Sequence, residues 1–400
     1  MKVSFPNMGT SWPAFKTLFD CIGVDVILPE PTNRNTIKFG VKHSPEFVCF
    51  PFKPTLGDFK NALDQGADTL VMAIDCGPCR FGFYASVQER ILRDIGYDNF
   101  RMIPLDQADL LEFKWIDTLF EVSGPKVNKL KLYAKAPKAV VFFLKKSKYV
   151  EDIQTAEGIF RAYERNQGDT TRTVKKLLVK LDQANTLKEL RAFRSVIKED
   201  FNKIDVDKTR NPLKIGLSGE IHVTLEPAVN QDIRRKLGEM GVEIHQNLSL
   251  YDWVVHKFHL NYHRKWLEHL AKPYVPMDIG GECVWVLGEY IDRAQAGFDG
   301  FVHTYPFTCM PEVTARTIIE NHLKPKFDLP FIAFSFDEQS GSEGFRTRLE
   351  AFVDLMNSRR EHKLKNGGID ASFAPKDYND LYNIHGNNFY QECIELIQTK

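Results

Sequence analysis

Along the first hundred residues, short apolar runs take turns with amphipathic stretches. "KVSFP" (Lys2–Pro6) is a short strand, and "AFKTLFDCIG" has helical spacing that ends at Gly23. "VDVILPE" predicts a second strand, "FVCFPF" follows, and "TLGDFKNALDQG" is a helix closed by Gly66. "ADTLVMAI" reads as a buried strand and "FRMIPL" as a further one. Between them "FGFYASVQERILRDIG" is a helix whose apolar positions are Phe83, Val87, Ile91 and Ile95. Strand and helix alternating at this pitch predict a parallel sheet covered by helices.

From about Val127 to Asp207 the period changes to that of helices alone, in "IQTAEGIFRAYERN", "TRTVKKLLVKLDQA" and "TLKELRAFRSVIKEDFNKI". The alternation then returns. "KIGLSGE" is strand then loop, "PAVNQDIRRKLGEMG" a helix with Pro227 near its start, and "VEIHQN" a strand. "CVWVLGEYIDRAQAG", "PEVTARTIIENHL" and "GFRTRLEAFVDLMNSRR" are helices around the strands "FDGFVHTYPF" and "PFIAFSFD". The predicted fold class is α/β, with two doubly wound parallel-sheet domains, residues 1–125 and 211–400, joined by a helical connector, 126–210. The two sheet-forming parts do not repeat each other closely in sequence.

Composition changes this picture little. With 43% hydrophobic and 26% charged residues, the 400-residue chain is of the globular class. Its longest apolar runs, such as "AVVFFL" (Ala139–Leu144), are far too short to span a bilayer. The first residues carry no cationic segment followed by a long apolar block, so no signal peptide and a cytoplasmic location are expected. Charge is balanced, 53 against 53, but residues 126–210 hold 21 Lys/Arg against 11 Asp/Glu, an excess of ten. Such a run is ordinarily the solvated face of helices; it also suits an acidic partner. Aromatic residues do not interleave with it in a base-stacking pattern, which disfavours nucleic acid.

The seven cysteines, at 21, 49, 76, 79, 283, 309 and 393, avoid the basic middle. In a reducing compartment they are not expected to form structural disulfides. Ligands of open α/β sheets bind at the carboxyl ends of strands, beside helix N-termini. Cys49 ends "EFVCF", Cys76 and Cys79 follow "TLVMAI", Cys309 follows "GFVHTYPF", and Cys283 opens a helix. A helix N-terminus lowers a thiol's pKa and favours a thiolate. Cys21 and Cys393 lie inside amphipathic helices and read as packing residues. The single C-x-x-C suits either redox chemistry or a metal. Zinc sites use two close ligand pairs, whereas here one pair stands with isolated thiols; His222, His245 and His303, in strand-like contexts without paired spacing, read as structural. Soft thiolates without a histidine partner suit an iron–sulfur cluster, assembled across domains because the spacing is unlike a ferredoxin run.

Three blocks carry a resemblance: "CFPFKPTLGDFKNALDQGADTLVMAIDCGPCRFGFYASVQERILRDIGY", "GGECVWVLGEYIDRAQAGFDGFVHTYPFTCMPEVTARTII" and "PFIAFSFDEQSGSEGFRTRLEAFVDLM". They resemble the superfamily of 2-hydroxyacyl-CoA dehydratases, benzoyl-CoA reductase subunits and double-cubane cluster proteins, and within it the acyl-CoA dehydratase activase-related branch. The likeness covers residues 1–120 and 212–356. It implies Rossmann-like domains gripping a cluster, and a partner, an ATP-dependent iron–sulfur activase delivering single electrons at low potential. It also implies an acyl-CoA or small-molecule substrate, and a homodimer or a paralogous subunit. Cys49, Cys79 and Cys309 match the triad that holds a 4Fe–4S cubane with one iron open. Cys76 and Cys283 are extra thiols for an 8Fe–9S double cubane, which needs about six thiolates, with Cys21 as the sixth.

An open iron is a Lewis acid for a hydroxyl or carbonyl oxygen, and an electron delivered there eases loss of an unreactive hydroxyl. Lys53 and Arg80 adjoin the cysteine blocks and suit cluster-charge compensation, anionic substrate or surface salt bridges. Glu220, Glu226, Glu282 and Glu338, in loops beside strand ends, are candidate proton donors. No CoA-binding signature accompanies them. A non-catalytic electron carrier or cluster-handling partner, and a structural zinc or thiol protein, are the alternatives.

Overall fold

The computed structural model describes all residues except 76, 107–114, 125–128, 278, 366–388 and 400. Cys76 therefore lies outside the described residues. In the N-terminal half, strands β1 (Lys2–Ser4), β2 (Asp25–Val26), β3 (Thr69–Ile74) and β4 (Arg101–Asp106) alternate with helices. The helices are α1 (Trp12–Ile22), α2 (Arg34–His43), α3 (Phe52–Asp64), α4 (Tyr84–Asp94) and α5 (Trp115–Ser123). Three helices follow: α6 (Lys129–Tyr163), α7 (Asp169–Gln183) and α8 (Leu187–Phe201).

The C-terminal half begins with β5 (Leu213–Gly219), α9 (Ile221–Leu225), α10 (Ile233–Glu239) and β6 (Val242–His245). It continues through α11 (Leu250–Lys257), α12 (Tyr262–Ala271), α13 (Cys283–Gln295) and β7 (Gly300–Pro306). Then come α14 (Met310–Ile318), α15 (Lys324–Phe327), β8 (Phe331–Phe336), α16 (Ser342–Lys365) and α17 (Phe389–Thr399).

Both sheets are four-stranded and wholly parallel, with orders β2-β1-β3-β4 and β6-β5-β7-β8. The fold is thus α/β with two Rossmann-like, doubly wound sheets. Alternation along each strand explains the two-sided cover. In the first sheet Val71 and Ile103 face α1 through Phe19 and Ile22, whereas Leu70 and Met72 face Leu56 and Phe59 of α3. In the second, Leu217 and Val302 meet Leu237, Leu349 and Phe352 on one side, while Phe301 meets Leu287 and Tyr290 on the other.

The helical region has its own core, in which Ile153 and Phe160 of α6 pack with Leu177, Ile197 and the C-terminal Cys393 and Ile397. Helix α6, 35 residues and so roughly 50 Å long, touches both sheets. Leu132, Ala136 and Ala139 join the first sheet's core. At the far end Gly158 lets the helix backbone rest on β6, since a Cβ there would stand 2.3 Å from the Ile244 carbonyl oxygen.

Several local expectations fail for identifiable reasons. "VDVILPE" forms only the two-residue β2, because Pro29 and Pro31 cannot donate to a ladder. Residues 46–50, between Pro45 and Pro51, form turns and a bend, so Cys49 precedes α3 without following a strand. Gln231 and Asp232 take φ of 57° and 58°, which delays α10 to Ile233. The buried face of α4 is Tyr84, Ala85, Gln88 and Leu92, and Phe83 is 68% exposed. His222 lies on α9, whereas His245 and His303 are on strands as expected.

Candidate functional site

In each sheet the chain leaves the first strand in one direction and returns to pair the third strand on the other side, which creates a crevice at the strands' carboxyl ends. The first sheet presents the Phe5–Gly9 segment after β1 and Cys79 after β3. The second presents Glu220 after β5 and Cys309 after β7. Cys79 caps the 3-10 turn Arg80–Phe83 that opens into α4, and Cys309 caps α14. Cys49 arrives from the turns between α2 and α3.

The loops that carry these three thiols are neighbours, tied through Arg80, although among the described residues no three His, Cys, Asp or Glu side chains are grouped to hold one metal ion. The buried Tyr84 hydroxyl is held well above its usual range by burial, then by the charges of Cys49, Glu220, Cys79 and Cys309. Cys49 acts directly on both Cys79 and Cys309, and Glu220 acts on all three thiols. Cys49 and Cys309 are buried, and Cys79 is partly open.

Burial raises all three thiol pKa values. The thiolate-favouring pull expected of a helix start is present, as N–H groups of Phe81 and Glu312 donate to Cys79 and Cys309, but it is outweighed by desolvation and by neighbouring anions. Arg80 and Tyr84 donate to the Cys49 sulfur and oppose its burial.

The halves are stitched around this point. Arg80 Nη1 donates to the Phe47 carbonyl at 2.8 Å and Nη2 to the Thr308 carbonyl at 2.5 Å. Lys53, buried on α3, pairs with Glu338 beyond β8 at 2.6 Å. The Gly9 N–H donates to Glu226 Oε2 at 2.7 Å, and Gly9 needs its φ of 54° and its missing Cβ, which would otherwise sit 2.0 Å from the Leu225 oxygen. Of the candidate acids, Glu338 and Glu226 therefore serve these seams. Glu220 accepts from the His222 and Val223 N–H groups, and burial pushes its carboxyl up to about 7. Glu282 is raised to about 7 by burial although Arg264 Nη1 lies 2.9 Å away.

The other cysteines are placed differently. Cys283 is buried in apolar core with Val286, Leu287 and Ala315. Cys21, half-buried on α1 near Lys138 and Lys146, sits at that helix's C-terminal end, and α1 runs back from the carboxyl edge of β1. It is thus at the opposite sheet edge from the loops of Cys49, Cys79 and Cys309. Cys393 packs in the helical core. His245 and His303 are paired with Glu243 and Glu312, each at 2.7 Å.

Sequence reasoning missed Tyr84, Glu312, Arg264 and Asp58. Tyr84 was not among the apolar positions that the helical spacing of this segment picks out. Asp58, in the middle of α3, accepts from Asn7 N at 2.9 Å and Thr32 Oγ1 at 2.9 Å and holds the loop after β1; burial pushes it up to about 7. The apolar rim was also unforeseen. Phe47, Phe83 and Phe307, each within four residues of one of the three thiols, are 68%, 68% and 55% exposed.

Fold and loop geometry together define an α/β protein with two parallel sheets, in which the loops carrying Cys49, Cys79 and Cys309 are neighbours. Residues 5–73, from the end of β1 into β3, match the CoA enzyme activase uncharacterised domain. That segment contains Cys49 but ends before Cys79. No curated protein matches the chain. Among the described residues no helix is long and apolar enough to cross a membrane.

Proposed function

We propose that this chain is an iron–sulfur protein of the 2-hydroxyacyl-CoA dehydratase kind, which takes low-potential electrons from an ATP-dependent activase for reductive chemistry on an acyl-CoA or a small molecule. The convergence of Cys49, Cys79 and Cys309 from three loops and both sheets carries this reading. The donor set fits the group. Three thiols that resist ionisation alone, beside the buried Glu220, gain most from a cofactor whose iron deprotonates them. Among the described residues no three His, Cys, Asp or Glu side chains are grouped to hold one metal ion. In a cluster each thiolate binds its own iron, so the triad need not close on a single ion.

The 4Fe–4S form needs only the three thiols whose loops are neighbours, whereas the sixth thiol named for the 8Fe–9S form, Cys21, stands at the opposite sheet edge. When bound, such a cluster supplies single electrons and an open Lewis-acidic iron. The chain's own residues have separate tasks. Burial of Cys49 and Cys309 excludes water from the sulfurs, and Arg80 offsets negative charge at Cys49. Glu220, the acid near all three thiols, is the candidate that holds a proton for the leaving oxygen. The match over residues 5–73 supports the link to CoA enzyme activases. An activase would cover the rim of Phe47, Phe83 and Phe307.

Anaerobic iron and sulfide analysis with EPR of the reduced protein tests the reading. About four irons and four sulfides per chain are expected; a colourless protein with stoichiometric zinc would reject it.

A further inference from the structure

We infer that Arg80 is the positioning residue of the thiol centre, a single guanidinium that ties the loops carrying Cys49 and Cys309 to the loop carrying Cys79. Arg80 directly follows Cys79, Phe47 lies two residues before Cys49, and Thr308 immediately precedes Cys309. The guanidinium reaches the carbonyls of both, at 2.8 and 2.5 Å. None of these three segments belongs to a strand, so no sheet ladder fixes their mutual distance. Thr308 also holds a φ of 70°, a conformation that costs a non-glycine residue energy and persists only where neighbours enforce it. Its hydroxyl adds a weaker 3.4 Å link to the same Phe47 carbonyl.

Across the Cys79 loop, Pro78 packs against Gly280, where a Cβ would approach Pro78 Cγ to 3.0 Å. The loop is therefore wedged on one side and strapped on the other. Arginine suits the strap because its planar fork offers separate N–H groups to two acceptors at once, which one ammonium on a flexible stem does not reproduce. The inference rests on the cluster reading for its purpose, but its geometry is testable without iron.

The test uses full-length, metal-free protein and a short bis-maleimide, followed by digestion and mass spectrometry. The readout is the ratio of cross-linked to singly modified peptides for the pairs Cys79–Cys309 and Cys49–Cys309. With labelling run to completion at mildly alkaline pH, because Cys49 and Cys309 are buried, the wild type is expected to cross-link both pairs, and Arg80→Ala and Arg80→Lys to lower the ratio by about fivefold, the factor that about 1 kcal/mol gives. In both variants amide hydrogen exchange should quicken in segments 46–50 and 307–310 while the melting curve stays in place. If Arg80→Ala does not fold, Arg80→Lys carries the test.

Wild-type ratios in both variants overturn the proposal, since the loops then hold themselves. A wild-type ratio in Arg80→Lys with a low one in Arg80→Ala also overturns it, because charge alone would suffice. Reconstitution with iron and sulfide in parallel separates this inference from the function. Arg80-dependent cross-links without iron uptake support the strap and remove the cluster; iron uptake with Arg80-independent cross-links does the reverse.

Discussion

The two sheets have the same strand order and put a cysteine after the same strand, yet they are built to different standards. In the first, β1 and β2 are three and two residues long; in the second, β5 and β7 are seven each, and every residue of β7 is buried. Cys79 leaves β3 into a partly open 3-10 turn, whereas Cys309 leaves β7 directly into α14, with Pro311 in its first turn. The second half also carries the buried polar chain. His303 pairs with Glu312, whose carboxylate lies 3.3 Å from the Glu282 N–H, and Glu282 pairs with Arg264, which reaches Asp252 at 2.6 Å. The comparison teaches that repeated topology supplies two thiols at equivalent places. The third, Cys49, comes from a connection that only the first half uses this way, so the centre is asymmetric: one rigid wall and one lighter, strapped wall.

The largest expected effect breaks the equivalence if it is false. Cys79→Ala and Cys309→Ala should each remove nearly all cluster iron despite their different exposure, and Cys283→Ala should leave the iron content as it was. Iron assays on anaerobically reconstituted protein decide it. Iron retained in one of the first pair alone would show that topological equivalence does not carry to chemistry.

Next come the walls themselves. Phe334→Ala, in the second sheet's core, should cost about 3–5 kcal/mol. Met72→Ala in the first should cost about 2–4 kcal/mol. Urea denaturation measures both, and a larger loss at Met72 would reverse the ranking of the two halves.

A smaller effect concerns pH. Burial raises Glu289 from 4.5 to about 7, with Arg293 opposing. The folded protein then keeps a proton that the unfolded chain releases near pH 4.5, so this stabilisation is complete below that pH and is lost as pH rises toward 7. Glu289→Gln should flatten stability between pH 4.5 and 7 by roughly 3 kcal/mol. Melting curves across that window check it, and an unchanged slope would place the pH response elsewhere, with Asp58 of the first half the next residue to substitute. Smallest is the seam. Lys53→Met removes the 2.6 Å pair with the quarter-exposed Glu338 and should cost about 1 kcal/mol. Chemical denaturation reads it, and a loss of several kcal/mol would make this pair the principal tie between the halves.

Much of this was legible before any coordinates. Strand, cysteine and helix follow one another so directly at Cys79 and Cys309 that the hydrophobic period alone put both thiols at carboxyl strand ends. Cys49 was legible as a candidate but not in its setting, because two prolines dissolve the strand its apolar neighbours suggest. Of the four apolar positions read along this helix, Val87, Ile91 and Ile95 pack against the core, whereas Phe83 stands in the 3-10 turn before α4 and is exposed. Tyr84, Glu312 and Asp58 carried no signal, because a side chain's role in a centre depends on what faces it from another segment.

The sequence by itself determined the elements: local periodicity and glycine and proline stops act within a few residues and need no partner. It also determined the chemistry available, above all the seven thiols. Only the tertiary structure decided which thiol-bearing loops are neighbours, that Arg80 spans them, and that burial outweighs the helix starts in setting their ionisation. Distance and desolvation are properties of the packed chain, and they arise only when segments hundreds of residues apart exclude water together.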